Sequence, residues 1–219
     1  MPELSLEVSD LSLQRESVRL GPVSFTLPQP GCWWLAGPSG AGKSLLFESL
    51  AGFHADAAGH VRIGDKSGMV DVGSLAPERR SIALMPQRWR LFPHWNVVQN
   101  LRFAARLSSI PEPHIYFLAD RLRVRHLLKR PIQALSGGET QRITLIQTLL
   151  TSARVLLLDE PLSAVDAALQ RAVLDLLAEE AAQNRRIILI AAHKPHSDYT
   201  MQGTLEIEIG QLHSVPNRV

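Results

Sequence analysis

Gly37-Pro38-Ser39-Gly40-Ala41-Gly42-Lys43-Ser44 places glycines at both ends of a six-residue loop and follows them with a lysine and a hydroxyl. That spacing is the pattern of a loop that cradles phosphate. Glycines let the backbone curl until several N–H groups point into one hollow. The positive end of a following helix lies at the same place. Lys43 brings a full charge to the β- and γ-phosphates of a nucleotide, and Ser44 offers its hydroxyl to Mg²⁺. Leu45 stands where a second hydroxyl residue is frequent, which removes one contact; phosphate binding by residues 37–45 is expected to survive it. A glycine-rich turn beside a surface lysine is the plain alternative. The flanking pattern decides against it, because Cys32-Trp33-Trp34-Leu35-Ala36 reads as a short buried strand and Leu46, Phe47, Leu50 and Ala51 recur at helical spacing up to Gly52.

A second stretch carries acid chemistry. Val155-Leu156-Leu157-Leu158-Asp159-Glu160 is a continuous apolar run ending in two carboxylates. Such a run implies a central parallel strand, and ligands gather at the carboxyl ends of such strands. Asp159 suits a role in holding Mg²⁺, directly or through water, and Glu160 suits orienting and polarising an attacking water. A third stretch, Leu135-Ser136-Gly137-Gly138-Glu139-Thr140-Gln141-Arg142, opens a helix. Ser136 and Glu139 fit a capping box, in which each side chain satisfies an exposed N–H of the first turn. Two glycines at a helix N-terminus also offer a second anion site.

The elements that position these residues follow from periodicity. Leu4, Leu6 and Val8 alternate with polar residues, Val23–Leu27 repeats the pattern, and His60–Ile63 is a further strand with Gly64-Asp65 as a turn. Residues 66–80 are polar, and Ile82–Met85 is a buried strand leading to Pro86-Gln87. Residues 88–135, with four prolines and many arginines, read as a small helical subdomain inserted in an α/β core, its helices near 96–108 and 114–128. The run Arg121-Leu122-Arg123-Val124-Arg125 reads as a solvated helix face. Helices near 138–150 and 167–182 alternate with strands 155–158 and 187–191, and two short strands near 204–213 follow.

A chain of 219 residues with 45% hydrophobic content supports one domain with a sizeable core. Its 23 basic and 21 acidic residues nearly balance, which speaks against a dedicated nucleic-acid binder. The single cysteine, Cys32, cannot form an internal disulfide and reads as a buried thiol. No secretory signal or membrane-length apolar run is visible, so the expectation is a soluble cytoplasmic protein whose membrane link comes through a partner.

In chain order the sequence holds the phosphate loop at 37–44, Gln87 after a buried strand, Leu135–Glu139, the acidic strand end at 155–160, Leu162-Ser163-Ala164-Val165-Asp166, and His193 after another buried strand. This series resembles the nucleotide-binding ATPase subunit of an ABC transporter over nearly the full length. The resemblance identifies these stretches as Walker A, Q-loop, signature (LSGGE rather than the commoner LSGGQ), Walker B, D-loop and switch histidine. It implies a P-loop NTPase fold of ABC type in one domain, 1–219: a mainly parallel core, an N-terminal antiparallel part and the inserted helical subdomain at 88–135. It also implies a catalytic set of Glu160, His193 and Gln87, and Mg²⁺ held by Ser44, Gln87 and Asp159. The resemblance further implies that ATP lies between residues 37–45 of one copy and Ser136, Gly137, Gly138 and Glu139 of a second, paired head to tail, with Gln87 contacting Mg²⁺ and the water and His193 the γ-phosphate.

The stretch Pro77–Gln87 and Leu91–Asn100 is similar to ATPases of bacterial importers for molybdate, thiamine, sulfate and related solutes. Partners so implied are an integral-membrane permease, a second ATPase subunit and a solute-binding protein, with the chain peripheral on the inner membrane. Trp89, Leu91, Phe92 and Trp95 are candidates for the pocket receiving a permease helix, or for the subdomain's own core. The extra C-terminal β-domain of many importer relatives is not expected here. Rival readings are an ABC exporter, a regulatory module with an intact nucleotide site, or a soluble ABC-type ATPase acting on nucleic acid or ribosomes; that last class generally needs a second cassette or a long coiled-coil insertion.

Two residues depart from the family pattern. Glu139 adds a carboxylate near nucleotide phosphate, but as a cap partner it is expected to point back at the helix. The family's adenine-stacking aromatic has no counterpart in Leu11-Ser12-Leu13-Gln14-Arg15, where Arg15 is the available planar group. Base selectivity is therefore expected to be weak. Comparable GTP and ATP turnover in a steady-state assay is the predicted outcome, and strict ATP preference would contradict it.

Overall fold

An apolar run without polar alternation has to be covered on both faces. The computed structural model shows what covers it, and describes residues 4–15, 18–87, 91–195, 199, 201–208 and 210–215. In chain order the elements are β1 (Ser5–Arg15), β2 (Val18–Leu27), β3 (Gly31–Ala36), α1 (Lys43–Ala51), β4 (Ala58–Asp65), β5 (Gly68–Asp71), β6 (Ile82–Met85), α2 (Val97–Leu107) and α3 (Glu112–Arg121). There follow α4 (Gly137–Leu149), β7 (Val155–Asp159), α5 (Ala167–Asn184), β8 (Ile187–Ala192), β9 (Gly203–Glu208) and β10 (Gln211–Val215).

Among the described residues the strands form two sheets. One is antiparallel, in the order β2-β1-β4-β5. The other runs β10-β9-β3-β8-β7-β6, and its β9, β3, β8, β7 and β6 are mutually parallel. In β7, Leu156 and Leu158 join the cluster that packs on α4 and α5, while Val155 and Leu157 join the cluster shared with α1 and the antiparallel sheet. β8 divides the same way, Ile188 and Ile190 against Ile187 and Leu189. The period of two along each strand thus feeds two separate cores. Cys32 lies on the helical side, where burial pushes its thiol up to about 12.

Several sequence expectations are corrected. In β1 the inward residues run Leu6, Val8, then Leu11 and Leu13, so the alternation slips by one. A bulge absorbs the slip: the pairing shifts between Val8 and Leu11, with Asp10 at φ 53 and its N–H donating to Ser24 Oγ at 2.8 Å. The strand thus continues through Leu11–Arg15. Gly64-Asp65 is also strand, and the turn lies at Lys66-Ser67. The polar stretch after it holds the edge strand β5, exposed at every position and so without an apolar face to announce it. The helix expected at 114–128 ends at Arg121; Arg123 takes φ 56 and a single 3-10 turn follows at Arg125–Leu127. Arg123 and Arg125 of the basic run face solvent as expected, but only Arg121 is in the helix and Leu122 and Val124 are buried; Arg121 forms a bidentate pair with Glu179 at 2.6 and 2.9 Å, and Arg125 pairs with Asp120 at 3.0 Å.

Arg80, read as part of a polar stretch, is 6% exposed. Its guanidinium donates to the carbonyls of Ser49 and Leu50 at the end of α1 and to those of Gly73 and Leu75. It satisfies carbonyls that the end of a helix leaves open, and so anchors α1 from below. Arg80→Met is expected to lower the unfolding free energy by roughly 2–4 kcal/mol, because charged hydrogen bonds are lost and buried carbonyls are left unpaired. Urea unfolding of the two proteins measures it; a difference under about 0.5 kcal/mol would show that water replaces the guanidinium without loss.

Candidate functional site

Parallel strands all end on one edge of their sheet. The register sets Ala36 opposite Ala192, Ala191 opposite Asp159, and Leu158 opposite Met85. The residues that follow these ends are the phosphate loop, His193, Glu160, and Pro86-Gln87. Chain segments more than a hundred residues apart thus meet along the carboxyl edge.

The loop from Gly37 to Gly42 is built for close backbone turns. Gly40 and Gly42 take φ 78 and 101, values that a β-carbon disfavours. Residues 38–40 are exposed, and α1 begins at Lys43 with no side-chain cap, so its first N–H groups face the loop hollow. Lys43 folds back over the loop, its Nζ donating to the carbonyls of Gly37 at 2.7 Å and Pro38 at 3.0 Å. Its ammonium also lies 4.0 Å from Glu160 Oε1. Leu45 packs partly buried against the core beneath the loop.

Ser44 Oγ donates to Asp159 Oδ2 at 2.6 Å, joining α1 to the end of β7. Asp159 is 4% exposed. Burial holds its carboxyl above the usual carboxylate range; the Ser44 hydroxyl opposes this, and the neighbouring Glu160 charge adds to it. A hydroxyl and a desolvated carboxylate suit a small divalent cation, which takes oxygen ligands and stabilises the charged carboxylate. No group of three or more His, Cys, Asp or Glu able to hold a metal occurs among the described residues.

Glu160 takes φ 50, a strained value for a residue with a β-carbon. Together with His193, Ser163, Gln170 and Trp34 it lines a cleft of about 240 Å³. His193 and Gln87 are exposed at their strand ends. The signature residues stand at the start of α4. Ser136 accepts from the Glu139 N–H at 3.3 Å, and Glu139 accepts from the Ser136 N–H at 2.7 Å, so both halves of the capping box form. These bonds hold the Glu139 carboxyl below its ordinary range and turn it toward the helix.

The structure therefore brings Lys43, Ser44, Asp159 and Glu160 into direct contact. It sets Gln87 and His193 on the same edge, His193 sharing the cleft with Glu160. Gln141 and Gln170, which bond the turn after Glu160, carry no signal in the sequence and were missed. Trp89 and the side chain of Arg15 lie outside the described residues. Phe92 and Trp95 meet with their rings tilted at 48° and 4.7 Å apart, and both meet Phe103 edge-on at 5.2 and 5.5 Å, forming a half-exposed aromatic cluster rather than a closed core.

The fold and motifs can be set beside known proteins. The ABC transporter family matches residues 20–163. The chain is 35% identical over 176 residues to the molybdate/tungstate import ATP-binding protein WtpC of Methanocaldococcus jannaschii, covering 78% of this chain and 58% of that protein. It is 42% identical over 146 residues to WtpC of Archaeoglobus fulgidus (66% and 59% covered), and 35% over 174 residues to the molybdenum import ATP-binding protein ModC of Haemophilus ducreyi (78% and 49%). It thus spans between about half and three fifths of the length of these relatives. Two solved structures share the fold at 21% identity: an ATP-binding cassette of an ABC transporter in its ADP conformation, with a TM-score of 0.77 over 96% of this chain and 89% of that one, and an ATP-binding subunit of an ABC transporter, at 0.80 over 96% and 90%. With its phosphate loop, acidic strand end and capped signature helix arranged on one P-loop core, the chain belongs to the ABC transporter family.

Proposed function

We propose that this chain is the ATP-hydrolysing subunit that powers import of a small solute through a separate membrane permease. The observation that carries the reading is the junction of Ser44 with Asp159 at 2.6 Å and Lys43 with Glu160 at 4.0 Å on one sheet edge. The import ATP-binding relatives support it, and their molybdate or tungstate is the first solute to test. No helix among the described residues is long and apolar enough to cross a membrane.

In this reading the loop of Gly37, Pro38, Ser39, Gly40, Ala41 and Gly42 wraps the β-phosphate and aims backbone N–H groups at it, Pro38 shaping the loop without an N–H of its own and the Gly37 N–H staying on the Ala192 carbonyl at 3.3 Å, and the start of α1 adds its dipole. Lys43 exchanges the Gly37 and Pro38 carbonyls for phosphate oxygens. Ser44 and Asp159, with Gln87, hold Mg²⁺, which neutralises charge between the β- and γ-phosphates when bound. Glu160 accepts a hydrogen bond from the attacking water and aims it in line with the γ-phosphate. His193 bonds a γ-phosphate oxygen. The N–H groups of Gly137 and Gly138 and the Ser136 hydroxyl face the γ-phosphate held by a second copy, so closure of the pair requires ATP and hydrolysis releases it.

The inserted helical unit at 88–135 carries the motion to the permease. Trp95, Phe103 and Leu107, flanked by Arg102 and Arg106, line an open groove of about 630 Å³ suited to one amphipathic permease helix.

Glu160→Gln keeps the shape of the site and removes the water-polarising charge. ATP with Mg²⁺ is expected to drive this variant into a stable dimer on gel filtration, with turnover reduced at least about a hundredfold; a monomer under all nucleotide conditions would sink the reading. A multi-span permease is expected to co-purify with the tagged protein from detergent-solubilised membranes, whereas ribosomal or DNA-bound partners alone would favour the soluble class. Glu139→Gln preserves the capping box, since glutamine makes the same bond. Turnover is expected to change by less than about threefold, and a large rise would mean the carboxylate does repel nucleotide.

A further inference from the structure

Gln141 lies outside every phosphate and metal contact described above, yet it is 3% exposed and its carboxamide is committed to the turn after Glu160. Its Nε2 donates to the Glu160 carbonyl at 2.8 Å and to Ser163 Oγ at 3.0 Å. Its Oε1 accepts from the Ala164 N–H at 3.2 Å. Both donors and one acceptor position of the amide are thereby used. The backbone it grips is the strained one, with Glu160 at φ 50, and such a conformation persists when its surroundings over-determine it. A second contact presses α4 onto the same loop: a β-carbon at Gly138 would stand 2.7 Å from the Ala164 carbonyl oxygen. Gly138 belongs to the first turn of α4, and Gln141 is its neighbour three residues on, on the same face.

We infer that Gln141 is a positioning residue that makes the N-terminal turn of α4 and the backbone carrying Glu160 one mechanical unit. The inference rests on the ATPase reading, in which residues 136–138 meet the γ-phosphate on a second copy while Glu160 serves the nucleotide of its own chain. A shift of the first turn of α4 has to break three part-buried hydrogen bonds or carry residues 160–164 with it. One amide thus links the occupancy of one nucleotide site to the carboxylate of the other.

Gln141→Met keeps an unbranched side chain of similar size and loses all three bonds. Gln141→Glu keeps the acceptor for Ala164 and sets a carboxylate oxygen against the Glu160 carbonyl; it carries the same readouts if Gln141→Met does not fold. The first readout needs no nucleotide. Amide hydrogen exchange at residues 160–164 of the full chain is expected to quicken at least about tenfold while the rest of β7 stays protected, and unchanged exchange overturns the inference. The second is ATP turnover. Here kcat is expected to fall about tenfold with KM for ATP moving less than about twofold, and the Hill coefficient to drop toward one relative to the unmodified chain. A variant with unaltered kcat and Hill coefficient overturns the coupling. If the unmodified chain hydrolyses no ATP, the ATPase reading fails, while the exchange result still decides whether Gln141 holds the Glu160 turn.

Discussion

A carboxylate at the end of a strand buried on both faces is costly unless something answers it. Asp159 is in that position, and its answer comes from Ser44, 115 residues earlier in the chain. The bond ties the first residues of α1 to the end of β7 and so fixes the phosphate loop against the acidic strand end. Burial works against the charged form of Asp159, and a bound cation would work for it.

The surrounding architecture keeps that junction rigid. β7 and β8 each send alternate residues into two cores, so neither strand can slide without disrupting both. Arg80 anchors the far end of α1 through backbone carbonyls, and Gln141 anchors the turn after β7. The chemical groups lie at element ends and on the short connections beside them, while the strands that hold them are among the best buried elements in the molecule. Binding groups on loops, placed by a rigid scaffold, are the usual division of labour in α/β proteins.

Much of this was legible beforehand, and the failures have physical causes. Continuous apolar runs revealed β3, β7 and β8, because no other arrangement buries them. The capping box at Ser136 and Glu139 was readable because capping is a local contact between residues three apart. β5 was not readable, since an edge strand exposed on both faces has no pattern to show. The early end of α3 was not readable either: Arg123 is an ordinary residue that adopts φ 56 where Leu122 and Val124 are drawn inward. The bulge in β1 was written in the spacing of Val8 and Leu11, but a slip of one residue has meaning once the partner strand is known.

The sequence by itself determined the chemistry on offer: a loop that curls around phosphate, a lysine and hydroxyl after it, two carboxylates at a buried strand end, and a second helix start able to meet an anion. These are properties of residue type and near-neighbour spacing, which short-range forces decide. The tertiary structure alone decided which of these groups meet. It joined Ser44 to Asp159 and Lys43 to Glu160, left Gln87 and His193 exposed along the same edge, and recruited Gln141 to hold a strained glutamate. Contacts between distant segments depend on strand register and on which face each core claims, and no local spacing encodes either.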